Sequence, residues 1–105
     1  MRKSKPPRQP SSARDSALRV LGRREHSALQ LRRKLKARGY DEATAGETVG
    51  DLTERGWQSD TRYAEMLVRS RVAQGYGRLY IEAELGVAGV PDADVAAALE
   101  VVECD

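Results

Sequence analysis

Basic side chains are the residues of this chain whose type and spacing best suit a chemical task. Five of them flank one predicted turn, and they are Arg23, Arg24, Arg32, Arg33 and Lys36. Cations grouped in this way could bind DNA phosphates, with an affinity that falls steeply as salt rises. They could equally bind an acidic protein surface. A third interpretation is a solvated helix face that has no partner.

Catalytic and metal-binding residue types form no recognisable group in the sequence. The single histidine, His26, has no second ligand beside it, so we interpret it as a packing residue or a cap contact. The single cysteine, Cys104, cannot form an internal disulfide. The segment Gly75-Tyr76-Gly77-Arg78 lacks the preceding strand of a nucleotide-binding loop. We therefore predict that the protein is not an enzyme and holds no metal, cofactor or small-molecule ligand.

The net charge of +2 conceals a strong asymmetry along the chain. Residues 1–40 hold 13 basic residues against two acidic ones, whereas residues 91–105 hold five acidic residues and no basic one. This division predicts a polyanionic partner for the first segment. The sequence has no apolar run of the roughly 20 residues that a membrane span requires, and its basic start lacks a signal peptide's apolar stretch. We therefore expect a cytoplasmic protein that does not enter a membrane.

Helices are the elements that must position the basic side chains, because apolar residues recur at helical spacing and no alternating strand pattern persists. Residues 1–11 combine prolines with basic side chains, which predicts a disordered basic arm. Ser11 or Ser12 is expected to cap the first helix, which would end near Arg24.

The second helix is the most strongly specified element. Ser27 and Gln30 have the spacing of a capping box. Leu31 and Leu35 would face the core, so the neighbouring basic residues would face elsewhere. Gly39 suits the left-handed stop after the helix.

Four further helices follow from similar signals. Asp41 is expected to cap the third helix, and Trp57 is expected to close the core between two units. Ser59 or Asp60 would cap the fourth helix, which ends near residue 74. We interpret Tyr76 as folded over the fifth helix, at about residues 78–88, rather than presented to a partner. Proline at position 91 suits the start of the sixth helix.

The second and fifth helices share one layout, fifty residues apart. Leucines or isoleucine and a final glycine align in the pairs Leu29 with Leu79, Leu31 with Ile81, Leu35 with Leu85 and Gly39 with Gly89. This predicts an all-α fold of about six short helices in tandem three-helix repeats, at residues 12–56 and 57–105. The later copy keeps the expected core leucines but lacks the charge.

These motifs together resemble one family, the RecX regulators of the bacterial recombinase RecA, over about residues 13–99. The resemblance is carried by Ala17-Leu18-Arg19-Val20-Leu21, Arg23-Arg24-Glu25-His26-Ser27, Leu31-Arg32-Arg33-Lys34-Leu35, Arg38-Gly39-Tyr40-Asp41, Gly56-Trp57, Asp60-Thr61-Arg62-Tyr63-Ala64, Leu67-Val68-Arg69-Ser70-Arg71, Gly75-Tyr76-Gly77, Ile81, Glu84-Leu85 and Gly89-Val90. Each stretch alone is weakly diagnostic, but their order and spacing are specific.

The resemblance implies a noncatalytic regulator, built from tandem three-helix repeats, that binds along the RecA–DNA filament. It would inhibit the ATPase, strand-exchange and coprotease activities of RecA, acting as a monomer on RecA and on DNA phosphates. The basic residues that it would use are Arg23, Arg24, Arg32, Arg33, Lys36, Arg69, Arg71 and Arg78. General DNA binding without RecA specificity is the alternative, and a poorly folding remnant is a third hypothesis.

This chain departs from the family pattern in three places. The family usually has three repeats and this chain has two, so we expect either a fragment or a short member. Ala45 and Thr48 replace bulky apolar residues, which predicts looser packing of the third helix. The fifth helix carries Tyr80, Glu82 and Ala88 where the pattern favours basic residues, so its copy should bind less.

Overall fold

Six α-helices, with no strand among the residues described, form the observed architecture. The structure, a computed structural model, describes the backbone of residues 10–103 and the side chains of residues 13–101. The helices are α1 (Pro10–Arg23), α2 (Ala28–Ala37), α3 (Glu42–Glu54), α4 (Asp60–Ala73), α5 (Arg78–Val87) and α6 (Asp92–Glu103). The predicted all-α class with tandem three-helix repeats is confirmed.

Side-chain caps begin α2, α3 and α4 at residues that the sequence predicts. Ser27 Oγ accepts a hydrogen bond from the Gln30 N–H at 3.1 Å, and the Ser27 N–H donates to Gln30 Oε1 at 3.1 Å, which completes the capping box. Asp41 caps α3. Ser59, rather than Asp60, caps α4. These caps satisfy N–H groups that have no partner within their own helices.

The start of α1 differs from the prediction. The helix begins at Pro10, so Ser11 and Ser12 lie inside it and the predicted cap at either serine is wrong. Proline suits the first helical position, because its φ is already near the helical value and its missing N–H costs no hydrogen bond there. The rest of the predicted basic arm, residues 1–9, lies outside the described part of the chain.

The core is divided into two separate hydrophobic clusters, one in each set of three helices. We call α1–α3 the first unit and α4–α6 the second unit. The cluster of the first unit contains Ala13, Ala17, Val20, Leu31, Leu35, Tyr40, Ala45, Val49 and Leu52. The cluster of the second unit contains Tyr63, Ala64, Leu67, Val68, Ile81, Leu85, Ala88, Val90, Ala98 and Leu99. The described protein is elongated, with extents of 61 × 25 × 20 Å.

One contact between the units joins the start of α2 to the turn after α5. Ser27 is fully buried, and its hydroxyl donates a 2.7 Å hydrogen bond to the Ala88 carbonyl. Leu29 packs against Gly89, whose φ is +80°. A Cβ at position 89 would lie 2.8 Å from Leu29 Cδ2 and 2.9 Å from Leu29 Cβ. Glycine is therefore required here both by its backbone conformation and by the close approach of Leu29.

A second contact between the units is a buried amide. The Gln58 side chain donates to the His26 carbonyl and to Asp60 Oδ1, both at 3.1 Å, and accepts from the Thr53 hydroxyl at 2.7 Å. Asp60 Oδ1 also accepts from the Ala28 N–H at 2.9 Å. Every buried side-chain nitrogen or oxygen of the described residues has a partner, so this polar junction leaves no unsatisfied group.

Trp57 does not close the core between the units, so that prediction is wrong. The side chain is 47% exposed, and the Arg14 guanidinium lies 5.4 Å from the centre of one of its rings. The inward position is taken by the next residue, Gln58, which is 1% exposed. The turn after α3 thus buries a side chain that can satisfy backbone groups, and it leaves the indole stacked with a cation at the surface.

The tyrosine turn agrees with its prediction, whereas Leu79 does not. The rings of Tyr76 and Tyr80 stack with centroids 4.2 Å apart, which confirms that Tyr76 folds over α5. Leu79 is 81% exposed, although Leu29 at the same place in the first repeat packs on Gly89. Shared sequence register therefore predicted the helix but not the burial of this leucine.

The role of Gly89 can be isolated with a matched pair of substitutions. Gly89→Ala and Gly56→Ala both place alanine at φ +80°, but a Cβ at position 56 meets no atom within 4 Å. We expect Gly56→Ala to lower the free energy of unfolding by about 1 kcal/mol. Gly89→Ala should cost about 1–3 kcal/mol more, because Leu29 must move. Urea unfolding followed by circular dichroism measures both, and equal losses would contradict close packing at the turn.

Candidate functional site

The basic residues around the turn between α1 and α2 are exposed. Arg23 ends α1, Arg24 follows it, and Arg33 lies on α2, and all three are exposed. Arg32 is half-buried. Within the described part of the chain, none of these four arginines forms an ion pair with an acidic residue. Their charges are therefore available to a partner without the loss of an internal salt bridge.

Lys36 differs from these arginines because its charge already has a partner. Its ammonium group lies 2.6 Å from Glu42 Oε1 at the start of α3. The hydrogen bond from Lys36 lowers the pKa of Glu42, and the nearby charge of Arg32 lowers it further to a smaller extent. Both partners are well exposed, so the pair adds little to stability.

The predicted site residues of the second unit are mostly paired. Arg71 binds Glu84 through two hydrogen bonds of 2.7 Å, a bidentate arrangement that is strong and directional. This contact raises the pKa of Arg71 and lowers that of Glu84. Arg78 pairs with Glu82 one turn along α5, at 3.0 Å. Arg69 is exposed and forms no ion pair with a described residue.

His26 is a packing residue, as the sequence indicated. It is 2% exposed, and its Nδ1 lies 3.0 Å from the Arg24 carbonyl oxygen. Burial is the main cause that lowers its pKa, so the imidazole is neutral at pH 7. The ring fills the turn that joins the two basic helices.

Two further arginines lie beside Arg23, and the predicted site does not include them. Arg19, Arg23 and Arg38 line a cleft of about 240 Å³ together with Ser16 and Val20. Arg19 and Arg23 are one turn apart on α1, a spacing that could have identified them as neighbours. Arg38 belongs to the end of α2, and only the packing of the two helices brings it to the cleft.

The fold and these residues define a class of protein, a small tandem repeat of three-helix units with exposed arginines on its first unit. Two family models match the chain, "RecX, first three-helix domain" at residues 13–59 and "RecX, second three-helix domain" at residues 59–99. The chain belongs to the RecX family.

Curated relatives agree with this assignment, and a solved structure has the same fold. The chain is 52% identical over 89 residues to "Regulatory protein RecX" of Stenotrophomonas maltophilia strain K279a and 49% identical over 89 residues to that of Xanthomonas axonopodis pv. citri strain 306. Each alignment covers 85% of this chain and 55% of the relative, so the chain spans about half the length of these proteins. The crystal structure of RecX from Lactobacillus salivarius has the same fold, with a TM-score of 0.79 at 24% identity over 88% of this chain and 60% of that one.

None of the described helices is both long enough and apolar enough to cross a bilayer.

The Arg71–Glu84 pair makes a pH-dependent contribution that can be measured. Because the pKa of Glu84 is lowered in the folded protein, its contribution is complete above the usual glutamate pKa and is lost as pH falls through the lowered value. We expect Glu84→Gln to lower the free energy of unfolding by about 1 kcal/mol at neutral pH. The difference from the parent protein should shrink below roughly pH 4. Urea unfolding at several pH values measures it.

Glu82→Gln is the matched control for this experiment, because it removes the negative charge from a contact with Arg78 that has only one hydrogen bond and a more exposed surface. We expect a change of no more than about 0.5 kcal/mol for this variant. If Glu84→Gln were equally destabilising at acidic and neutral pH, the loss would come from packing rather than from the carboxylate charge.

Proposed function

We propose that this protein is a noncatalytic, cytoplasmic regulator that binds the RecA–DNA filament as a monomer and inhibits RecA activity. The ATPase, strand-exchange and coprotease activities of RecA would all be lowered. Membership of the RecX family, in which the similar curated proteins are named as regulatory proteins, supports a regulatory role. The observation that carries the binding mode is a group of exposed arginines on the first unit, Arg23, Arg24 and Arg33, which form no ion pair with a described residue.

The first unit presents Arg33 on a well-anchored helix, α2, and Arg23 and Arg24 at the turn before it. Leu31 and Leu35 are fully buried on one side of α2, and the Ser27 cap is itself held by the second unit. Little backbone freedom is therefore left to lose when a partner binds, which favours affinity. The chemistry of the surface suits phosphate groups or carboxylates, and a protein–DNA filament offers both.

The second unit contributes less direct binding in this proposal. Two of its three candidate arginines, Arg71 and Arg78, already have glutamate partners, whereas Arg69 has no ion pair among the described residues. The free-energy cost of breaking the bidentate Arg71–Glu84 contact would oppose binding through Arg71. The unit would serve chiefly to hold α2 in place, with Arg69 as its exposed cationic contact.

General DNA binding without RecA specificity is a second candidate function. The same exposed arginines favour it, because guanidinium groups bind phosphates of any nucleic acid. The two candidates differ in one outcome. The regulator should act on RecA at concentrations at which naked single-stranded DNA is not yet saturated, whereas a general DNA-binding module should act only by covering the DNA.

The proposal is tested on RecA bound to single-stranded DNA. The parent protein should lower the rate of ATP hydrolysis in proportion to its occupancy of the filament. Arg32→Glu combined with Arg33→Glu should abolish this inhibition, because it replaces two cations of α2 by anions. Circular dichroism should show unchanged helicity.

Arg32→Lys combined with Arg33→Lys is the matched control, since it keeps both positive charges and removes the planar donor groups. Partial inhibition by this variant would indicate that charge contributes alongside guanidinium geometry. Undiminished inhibition by the double glutamate variant would refute the proposed binding face. No effect of excess parent protein on RecA would refute the regulatory function.

A further inference from the structure

The cleft between α1 and the end of α2 is lined by several positively charged hydrogen-bond donors and by no acidic side chain. Its lining consists of Arg19, Arg23 and Arg38 with Ser16 and Val20. All three arginines are exposed, and none forms an ion pair with a described acidic residue. Other cations of the first unit form ion pairs, since Arg14 and Arg55 both lie within 3.4 Å of Asp51 Oδ2.

The repulsion between the arginines of the cleft is unfavourable for the protein alone. Arg19 and Arg23 are four residues apart on α1, where like charges destabilise a helix. The negative end of a helix dipole favours Arg23, the last residue of α1, and Arg38, the C-cap of α2. It does not explain Arg19, which lies one turn before the end of α1, or the convergence of three guanidinium groups on one cleft.

We propose that this cleft binds consecutive phosphodiester groups of a nucleic-acid backbone. Guanidinium groups donate paired hydrogen bonds to phosphate oxygens, and the Ser16 hydroxyl offers a further donor. Three cations exceed what one protein carboxylate can neutralise, but they match the closely spaced charges of consecutive phosphates. No aromatic or amide side chain lines the cleft, so it has no means of stacking on bases or reading them. Binding is therefore independent of sequence.

The inference rests on the proposed function only for the source of the phosphates, which would be the DNA of the filament. It assigns Arg19 and Arg38 to the binding surface, beside the arginines of the turn. Because the cleft recognises the backbone itself, its action can be measured on DNA without RecA.

The test uses the whole chain and a fluorescein-labelled oligo-dT strand, with fluorescence anisotropy recorded over a series of salt concentrations. Arg19→Gln combined with Arg38→Gln should weaken binding. It should also reduce the slope of log K against log salt by about 1.4, since each lost phosphate contact on single-stranded DNA contributes about 0.7. Each single variant should give about half of this change.

Arg14→Gln combined with Arg55→Gln is the matched control. It removes two positive charges from the same unit, but these charges are already paired with Asp51. The control should leave the salt slope unchanged, whereas an equal fall in both double variants would show that only net charge matters and would overturn the cleft. Thermal unfolding of each variant verifies that the fold is kept.

The remaining outcomes separate this inference from the proposed function. If the Arg19 and Arg38 variant kept the parent's DNA slope but lost RecA inhibition, the cleft would bind protein carboxylates and the phosphodiester site would be refuted. Absence of DNA binding by the parent would refute it too, even if RecA were inhibited. A reduced slope with no effect of the parent on RecA would support the cleft and refute the regulatory function.

Discussion

The buried hydroxyl of Ser27 is the contact on which the arrangement of the two units depends. It accepts from the Gln30 N–H within its own helix and donates to the Ala88 carbonyl of the second unit. Asp60, from the second unit, accepts the N–H of Ala28 in the first turn of α2. The N-terminal donors of α2 are thus satisfied partly by the other unit, and a buried donor without a partner would cost about 1–3 kcal/mol. The orientation of α2, the basic helix, therefore depends on contacts of Ser27 and Asp60, neither of which is a basic residue.

Pairing, rather than formal charge, distinguishes the two units as binding surfaces. The sequence places cations in both, but Glu84 and Glu82 are bonded to Arg71 and Arg78 in the second unit. Arg23, Arg24 and Arg33 of the first unit lack such partners among the described residues. Other cations of that unit are paired, because Lys36 meets Glu42 and both Arg14 and Arg55 meet Asp51. The difference in unpaired positive charge between the two units is therefore larger in the structure than the charge counts along the sequence indicate.

Local chemistry could be predicted from the sequence, and contacts between helices could not. The Ser27–Gln30 capping box and the stop at Gly39, whose φ is +101°, depend on residues at most a few positions apart. The Ser27–Ala88 bond spans 61 residues and the Arg71–Glu84 pair spans 13, so both depend on how helices cross. Helical periodicity identifies an inward face but not the neighbour that it meets. For this reason the sequence wrongly predicts a buried Trp57 and does not identify Arg38 as part of the cleft.

The two copies of the repeat have diverged where they meet their surroundings rather than in their cores. Leu31 and Leu35 are matched by a buried Ile81 and Leu85, so the inner face is retained. The cap is not retained, because Gly77 stands in the place of Ser27 and makes no side-chain bond to α5. Stacked tyrosines cover the start of α5 instead. The Ser27 hydroxyl both caps its helix and bonds to the second unit, whereas glycine at position 77 can do neither, so the two helix starts differ in function while their inner faces agree.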